Sequence, residues 1–376
     1  MSEDITITAQ DTIKPDLAKF PQEKFSTWEG HNKLAPGKTL YLKGSFEFLK
    51  INNLIGTQEN PIYIKPVGEV KIKRLKLYNM EFVTFDGLGQ TTVSSIFEGD
   101  PTNKQPLLSI LKGKDTTIQN LHICSAEDSS SWDHRNWKEM SSDGVSVNKE
   151  SRSCNIKNNK IKNVAVAIRL DSPESKAEGN IINNYCNDGI LLSKDKTKAI
   201  NNTIAYSYKD CEGEVDCRKF STDGLGNHND AIQAFKKDKP IEDVQIRGNV
   251  ILCPAGEKFK ENAQGILCAD KGSIRMKVFD NLVCCHHSEG IALKYAQDAE
   301  IIGNTVVPYD MASSNPNIRT SEDKGENNKI SGNKHGGVGK IMSDGIDVTK
   351  DGNTKLKDAD SDSIKQEIID MAKLTN

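Results

Sequence analysis

The sequence predicts an all-β fold in which parallel strands stack, one after another, into a solenoid. Three observations lead to this prediction. A polar–small–aliphatic pattern recurs along the chain, a second pattern centred on asparagine recurs between its copies, and no helical periodicity separates the two. Units that repeat at about 20–25 residues are typical of solenoids, in which each unit buries its apolar side only by stacking on the next.

The first pattern marks a strand with one buried face. A mostly polar residue comes first, then glycine or alanine, then an aliphatic residue, and a further inward candidate follows two positions later. This alternation is that of a half-buried strand. Its copies lie at residues 142–147, 163–170, 187–192, 229–234, 263–268 and 288–294.

The second pattern consists of an aliphatic residue or alanine, two further residues, an asparagine, one residue, and an apolar residue or cysteine. Asparagines at the same position of successive coils can stack into a ladder of side-chain amides, which form hydrogen bonds with the backbone groups of a turn. The pattern therefore predicts a ladder buried at one corner, formed by Asn159, Asn184, Asn202, Asn249, Asn281 and Asn304.

These columns resemble those of the right-handed parallel β-helix superfamily, which includes pectate lyases, polygalacturonases, alginate epimerases and phage tailspike depolymerases. Residues 36–72, 77–89 and 116–123 are similar to the opening coils of such proteins. The resemblance implies about ten coils at strand spacing over residues 36–310. It implies no particular activity, because this fold carries lyases, hydrolases, isomerases and structural spikes. The polygalacturonase Asp pair with Arg-x-Lys and the epimerase Asp-Pro-His signature are absent from the sequence.

The ends of the chain differ from this repeat. Residues 1–35 are expected to cap the first coil, because an open β-helix end exposes unpaired strand edges. Residues 311–376 are expected to form a polar C-terminal extension that ends in a short helix over 361–374. That helix has two interpretations: a cap on the last coil, or a contact with another subunit or partner.

Composition limits the classes of partner. The 376 residues carry a formal charge of −3, so no basic bias indicates nucleic acid. No apolar run is long enough for a membrane span, and no signal peptide is visible. The sequence therefore predicts a protein of a virion or one assembled in the cytosol, or alternatively one secreted after removal of an unseen signal. Cys211 and Cys217 form either a disulfide or metal clip, or two free thiols.

Long polar insertions precede several copies of the first pattern. Residues 125–142, 206–228 and 252–263 should leave the solenoid at the same corner and overhang one face. Insertions on one side of a repeat protein commonly build its binding face. Trp132, Trp137 and Tyr208 are therefore candidates to stack against sugars, and the alternative is that these rings pack the loops onto the rod.

Carboxylates in the first pattern are the catalytic candidates, because glycosidic hydrolysis needs two carboxyl groups at a set separation. Asp143, Asp188, Asp230 and Glu289 occupy the polar position. Asp230 is the strongest candidate, and His228 lies two residues before it. The alternative for each acid is a turn residue that bonds its own backbone. The predicted substrate-binding side chains are those of Gln233, Arg169 and Lys294. Ca²⁺ is a candidate ligand of residues 223–230, and no cofactor is predicted with certainty.

Two functions remain open at this stage. The first is a β-helix enzyme that cleaves or modifies polysaccharide as a lyase or glycoside hydrolase, and it includes a phage tail or spike component. The second is a non-catalytic structural or receptor-binding β-helix of a virion tail. The expected partner is a polysaccharide, with a homotrimer or virion tail proteins as further candidates.

Overall fold

The computed structural model describes residues 4–11, 26–30, 33–96, 104–207, 229–254, 263–310, 316–321, 325–337, 339–343 and 349–373. Nearly all of its strands pair in parallel with the strand one coil earlier and the strand one coil later. The chain is thus a parallel β-helix, and the predicted fold is confirmed.

Each coil contributes to three faces. Face 1 contains the strands Leu108–Lys114, Val145–Val147, Ile168–Leu170, Asp188–Leu192, Asp230–Ala234, Gln264–Cys268, Glu289–Lys294, Asn317–Ser321 and Ile341–Ser343. Face 2 contains Asn155–Lys157, Lys176–Glu178, Lys198–Ile200, Gln245–Arg247, Lys277–Phe279, Glu300–Ile302, Lys329–Ser331 and Thr349–Asp351. Face 3 contains Lys160–Val164, Ile181–Tyr185, Thr203–Ser207, Val250–Cys253, Leu282–Cys285, Thr305–Pro308, Lys334–His335 and Thr354–Lys355.

The first coils are built from longer strands that continue around corners. These are Thr39–Ile55, Ile62–Glu81, Val83–Ser94 and Thr117–Cys124. The remaining elements are short: the strands Ile5–Ile7 and Ser26–Glu29, the 3₁₀ turn Ala9–Asp11, the helices His134–Met140 and Asp358–Lys373, and a small sheet of Ile241–Glu242, Ser273–Ile274 and Ala296–Gln297.

Aliphatic side chains of face 1 stack in register through the rod. Val145, Ile168, Ile190, Ile232 and Ile266 pair in sequence from coil to coil, and all are fully buried. The residue just before each of them must be small, because the backbones of neighbouring coils approach closely there. A Cβ atom on Gly189 would lie 2.5 Å from the carbonyl oxygen of Ala231 in the next coil.

The asparagine ladder is present at the corner between faces 2 and 3, with one correction. The backbone N–H and the side-chain amide of each asparagine both donate to Oδ1 of the next one. The ladder runs through Asn159, Asn180, Asn202, Asn249, Asn281, Asn304, Asn333 and Asn353.

Asn184 is therefore not a member, and the prediction was wrong at this position. Lys160 pairs with Ile181, so Asn159 stacks on Asn180. Asn184 instead has a φ of 53° and donates to Oδ1 of Asn163 at 3.2 Å. Both asparagines satisfy the local pattern, and only the pairing of strands separates them.

The regular coils extend beyond the boundaries expected from sequence. Ile5–Ile7 and Ser26–Glu29 both pair with Thr39–Ile55 in the first coil. At the other end, strands within 317–355 continue all three faces. The polar composition of 317–355 is compatible with this, because the asparagine ladder extends to Asn353.

The C-terminal helix Asp358–Lys373 lies along the side of the rod. Its Ile368 and Ala372 pack on outward side chains of face 3, including Ala205, Leu252 and Val307. The helix contacts the face 3 strands from Thr203–Ser207 to Thr305–Pro308. It therefore covers four successive coils laterally, whereas the sequence had suggested a cap across the last coil or a partner contact. No helix among the described residues is long and apolar enough to cross a membrane.

We expect Ile368→Ala to destabilise this lateral packing by about 2–4 kcal/mol, because a fully buried aliphatic side chain is truncated. A urea melt followed by circular dichroism would measure the loss. Gln366→Ala, at an exposed position of the same helix, is the control and should leave the midpoint unchanged. Equal melting of the two variants would show that the helix does not depend on face 3.

Candidate functional site

The polar position of the repeat lies at the start of each face 1 strand, beside the corner where the long insertions leave the rod. Asp143, two coils before Asp188, forms an ion pair with Arg169 at 3.4 Å between Oδ2 and Nη2. Its other oxygen accepts the backbone N–H of Val166 at 3.2 Å. The Asp143 side chain is 24% exposed, so this end of the column is open to solvent.

Asp188 lies two coils after Asp143, and Asp230 follows in the next coil, in direct register with Asp188. The backbone N–H of Asp230 donates to Oδ1 of Asp188 at 3.3 Å. Asp188 retains 8% exposure, whereas Asp230 has none. Asp230, the strongest catalytic candidate from the sequence, is thus enclosed: the residues at its position in both flanking coils, Asp188 and Gln264, are themselves buried.

Burial raises the pKa of the Asp188 carboxyl from 3.8 to about 7. The hydrogen bond from Asp230 and the positive charge of Arg169 oppose this rise, and the negative charge of Asp143 adds to it. A carboxyl group in such an environment can hold a proton near neutral pH and donate it. Asp143, Arg169 and Asp188 thus form one electrostatic cluster.

The other candidates on face 1 lie farther along the rod. Both carboxylate oxygens of Glu289 bond the guanidinium of Arg319, with 2.7 Å between Oε2 and Nε. Gln233 and Lys294 are partly exposed on the same face. Arg169 and Gln233 occupy one outward column, separated by Leu191.

The two tryptophans of the 125–142 insertion are buried. Trp132 and Trp137 are 8% and 3% exposed, and their ring centroids lie 5.1 Å apart in an edge-to-face arrangement. They pack with Ala126 and Met140. This burial favours the alternative that the rings pack the insertion onto the rod, although their edges line a cleft.

That cleft lies on the outside of face 3 and has a volume of roughly 580 Å³. Sequence reasoning missed it. It is lined by both tryptophans and by polar side chains that include His122, Glu127, Asp128, Lys160, Lys162 and Asn183.

Glu127, which lines this cleft, lies beside both His122 and Cys124. Burial raises the pKa of the Cys124 thiol to about 11, and burial lowers the pKa of His122. Nζ of Lys162 lies 2.9 Å from Oε2 of Glu127. His122 and Cys124 are two residues apart on one strand, a spacing that places both side chains on one side and is readable from sequence.

Several predicted site residues lie outside the described residues. These are His228, Tyr208, Cys211, Cys217 and most of the proposed Ca²⁺ segment 223–230. Asp143 belongs to the same Asp–Gly column as the other predicted acids, and its ion pair with Arg169, one coil away, is seen only in the structure.

No family model matches this chain, and no curated protein matches it. Solved structures do. A lacto-N-biosidase of glycoside hydrolase family 136 from Eubacterium ramulus is 13% identical with a TM-score of 0.57, and the match covers 94% of this chain and 67% of the enzyme. A mannuronic acid specific polysaccharide family 6 lyase from human gut microbiota is 12% identical with a TM-score of 0.50, covering 93% and 95%.

The Dettilon tailspike protein is 15% identical with a TM-score of 0.45. The match covers 80% of this chain and 56% of the tailspike, so the chain spans about half of that protein's length. At these identities the likenesses show the fold alone. The two matches with TM-scores of 0.50 and 0.57 agree with the parallel β-helix of this chain.

Proposed function

We propose that the protein binds a polysaccharide along face 1 and hydrolyses a glycosidic bond beside Asp188. The observation that carries the proposal is the pKa of about 7 at this carboxyl, next to the Asp143–Arg169 pair. Glycoside hydrolysis needs one protonated and one ionised carboxyl group, and unequal environments are what separate the two roles.

In this proposal Asp188 is the general acid. It donates its proton to the glycosidic oxygen as the bond to the anomeric carbon breaks. The carboxylate of Asp143 takes a proton from the attacking water, and Arg169 holds that carboxylate in position. Asp230 is a positioning residue, which orients Asp188 through its backbone N–H.

The separation of the two acids favours inversion of the anomeric centre. Asp143 and Asp188 start strands two coils apart, which corresponds to about 9–10 Å at the usual strand spacing. Inverting enzymes hold their carboxyls about 6.5–9.5 Å apart, whereas retaining enzymes need about 5–5.5 Å. Gln233, farther along the outward column, would bind neighbouring sugar hydroxyls.

The comparisons are compatible with a glycan substrate. The names of the two structures with the higher TM-scores describe a lacto-N-biosidase and a mannuronic acid specific lyase. Both act on glycans, by different chemistries. For this chain, hydrolysis is proposed over β-elimination because of the two carboxyl groups. The experiment below identifies the glycan.

A panel of polysaccharides, followed in parallel for reducing ends and for unsaturated-uronate absorbance, tests the proposal. We expect reducing ends without the absorbance, and proton NMR of the first product should show the inverted anomer. An unsaturated product would replace hydrolysis by β-elimination. Glycan binding without cleavage would contradict the enzyme proposal and favour the receptor-binding alternative.

Assembly as a homotrimer, or on a virion tail, is a separate prediction. Light scattering of the purified chain would measure its mass directly. A monomeric mass at all concentrations would contradict the homotrimer.

A further inference from the structure

Three side chains of types that bind metals lie close together beside the face 3 cleft, and none of them belongs to the proposed hydrolytic site. His122 and Cys124 project from the strand Thr117–Cys124, and Glu127 follows in the insertion. One imidazole nitrogen, the Cys124 sulfur and one carboxylate oxygen all lie within 4.8 Å of one another.

The spacing of these atoms fits a tetrahedral ion. Nδ1 of His122 lies 3.6 Å from Oε1 of Glu127, and Sγ of Cys124 lies 3.4 Å from the same oxygen. Ligand atoms bound at zinc distances of about 2.0–2.3 Å and tetrahedral angles are separated by about 3.3–3.6 Å. Two of the three distances between ligand atoms thus already match those around a tetrahedral zinc ion.

Two neighbouring side chains, Lys162 and Ser94, are placed to orient these ligands. Lys162 bonds Oε2 of Glu127 and leaves Oε1 as the ligand atom. The hydroxyl of Ser94 lies 3.4 Å from the Cys124 sulfur, where it can donate to a thiolate. Such outer contacts orient metal ligands and support their affinity.

We propose that His122, Cys124 and Glu127 bind a Zn²⁺ ion whose fourth position faces the cleft. A thiolate, an imidazole and a carboxylate together suit zinc, whereas Ca²⁺ and Mg²⁺ prefer oxygen ligands alone. Three protein ligands leave one position for water or for an oxygen atom of a molecule in the cleft. His122 is about one-third exposed, so the ion has a path from solvent.

Cobalt is the probe for the test, because Co²⁺ in a tetrahedral thiolate site absorbs strongly in the visible range and shows a thiolate charge-transfer band. The full chain is stripped with a chelator, kept reduced with a phosphine, and titrated with Co²⁺ and then Zn²⁺. We expect one equivalent of Co²⁺ to give both bands and Zn²⁺ to displace it. Zinc should also raise the melting temperature.

Variants separate the site from incidental binding. Cys124→Ser should abolish the charge-transfer band, and Cys124→Ser, His122→Gln and Glu127→Gln should each weaken Zn²⁺ binding by about a hundredfold or more. Cys186→Ser is the matched control. Its thiol has a pKa raised to about 11 by burial and lies beside the same tryptophans, but it is outside the three-residue group.

Three results would overturn the proposal. They are a spectrum without the thiolate band, equal Zn²⁺ affinity in the wild type and Cys124→Ser, and loss of binding in a Cys211→Ser, Cys217→Ser double variant but not at Cys124. Circular dichroism of each variant shows whether it is still folded, so that unfolding is not mistaken for loss of the metal site. None of these readouts depends on glycan cleavage.

Discussion

Asp188→Asn should lower the turnover of the polysaccharide substrate by about a hundredfold or more, which is the scale of losing general acid catalysis. The amide keeps the shape of the side chain and can still accept the backbone N–H of Asp230. It cannot donate the proton that the leaving oxygen requires. Steady-state kinetics on the substrate identified from the panel would measure the loss.

The control for this substitution is Asp280→Asn, at an exposed position on another corner whose φ of 54° asparagine tolerates. Its turnover should equal that of the wild type. If Asp188→Asn retained full turnover, Asp188 would be a turn residue only. Asp230→Asn should leave turnover close to that of the wild type, because the backbone N–H that bonds Asp188 is kept.

Asp188→Asn should also change how the stability of the protein depends on pH. The folded protein holds the Asp188 proton up to about pH 7, whereas the unfolded chain releases it near 3.8. The folded state therefore binds more protons between these values, so wild-type stability should fall as pH rises from about 4 to 7. The neutral amide of asparagine removes this pH dependence. At pH 7, Asp188→Asn should therefore have a free energy of unfolding up to about 4 kcal/mol greater than that of the wild type.

Urea melts at several pH values would show this as a widening gap between the two proteins. A gap that is constant with pH would mean that the folded-state pKa of Asp188 is not raised. Turnover should fall on the alkaline side of about pH 7, because the general acid has then lost its proton.

Asn249→Ala should destabilise the rod by about 3–5 kcal/mol. Asn249 accepts the backbone N–H and the side-chain amide of Asn202 at 2.9 Å each, and donates to the carbonyl of Ala199 at 3.0 Å. All these groups are fully buried, and each buried polar group left without a partner costs about 1–3 kcal/mol. Chemical denaturation followed by circular dichroism measures the effect.

Asn353→Ala is the matched control, because Asn353 ends the ladder and makes the same kinds of bonds to Asn333 and Ile330. It is only partly buried, so water can replace the lost partner. Its loss should be about 1 kcal/mol or less. Equal losses at the two positions would show that burial does not set the strength of the ladder.

The fold and the positions of the repeated strands follow from local patterns in the amino-acid sequence. Alternating side chains decide which face of a strand is buried, and this information is local, so the aliphatic column from Val145 to Ile291 was readable without coordinates. The asparagines of the ladder were readable for the same reason, except where Asn180 and Asn184 both fit the local pattern.

The contacts between coils follow instead from the way the strands pair in three dimensions. Strand pairing places Asn180 in the ladder, brings Arg169 to Asp143, and engages Glu289 with Arg319. Burial of Asp188 and Asp230 depends on the coils on both sides, and the meeting of Glu127 with His122 and Cys124 depends on the path of an insertion. A pattern within one strand specifies the direction of a side chain, whereas its partners and its solvation depend on residues distant along the chain.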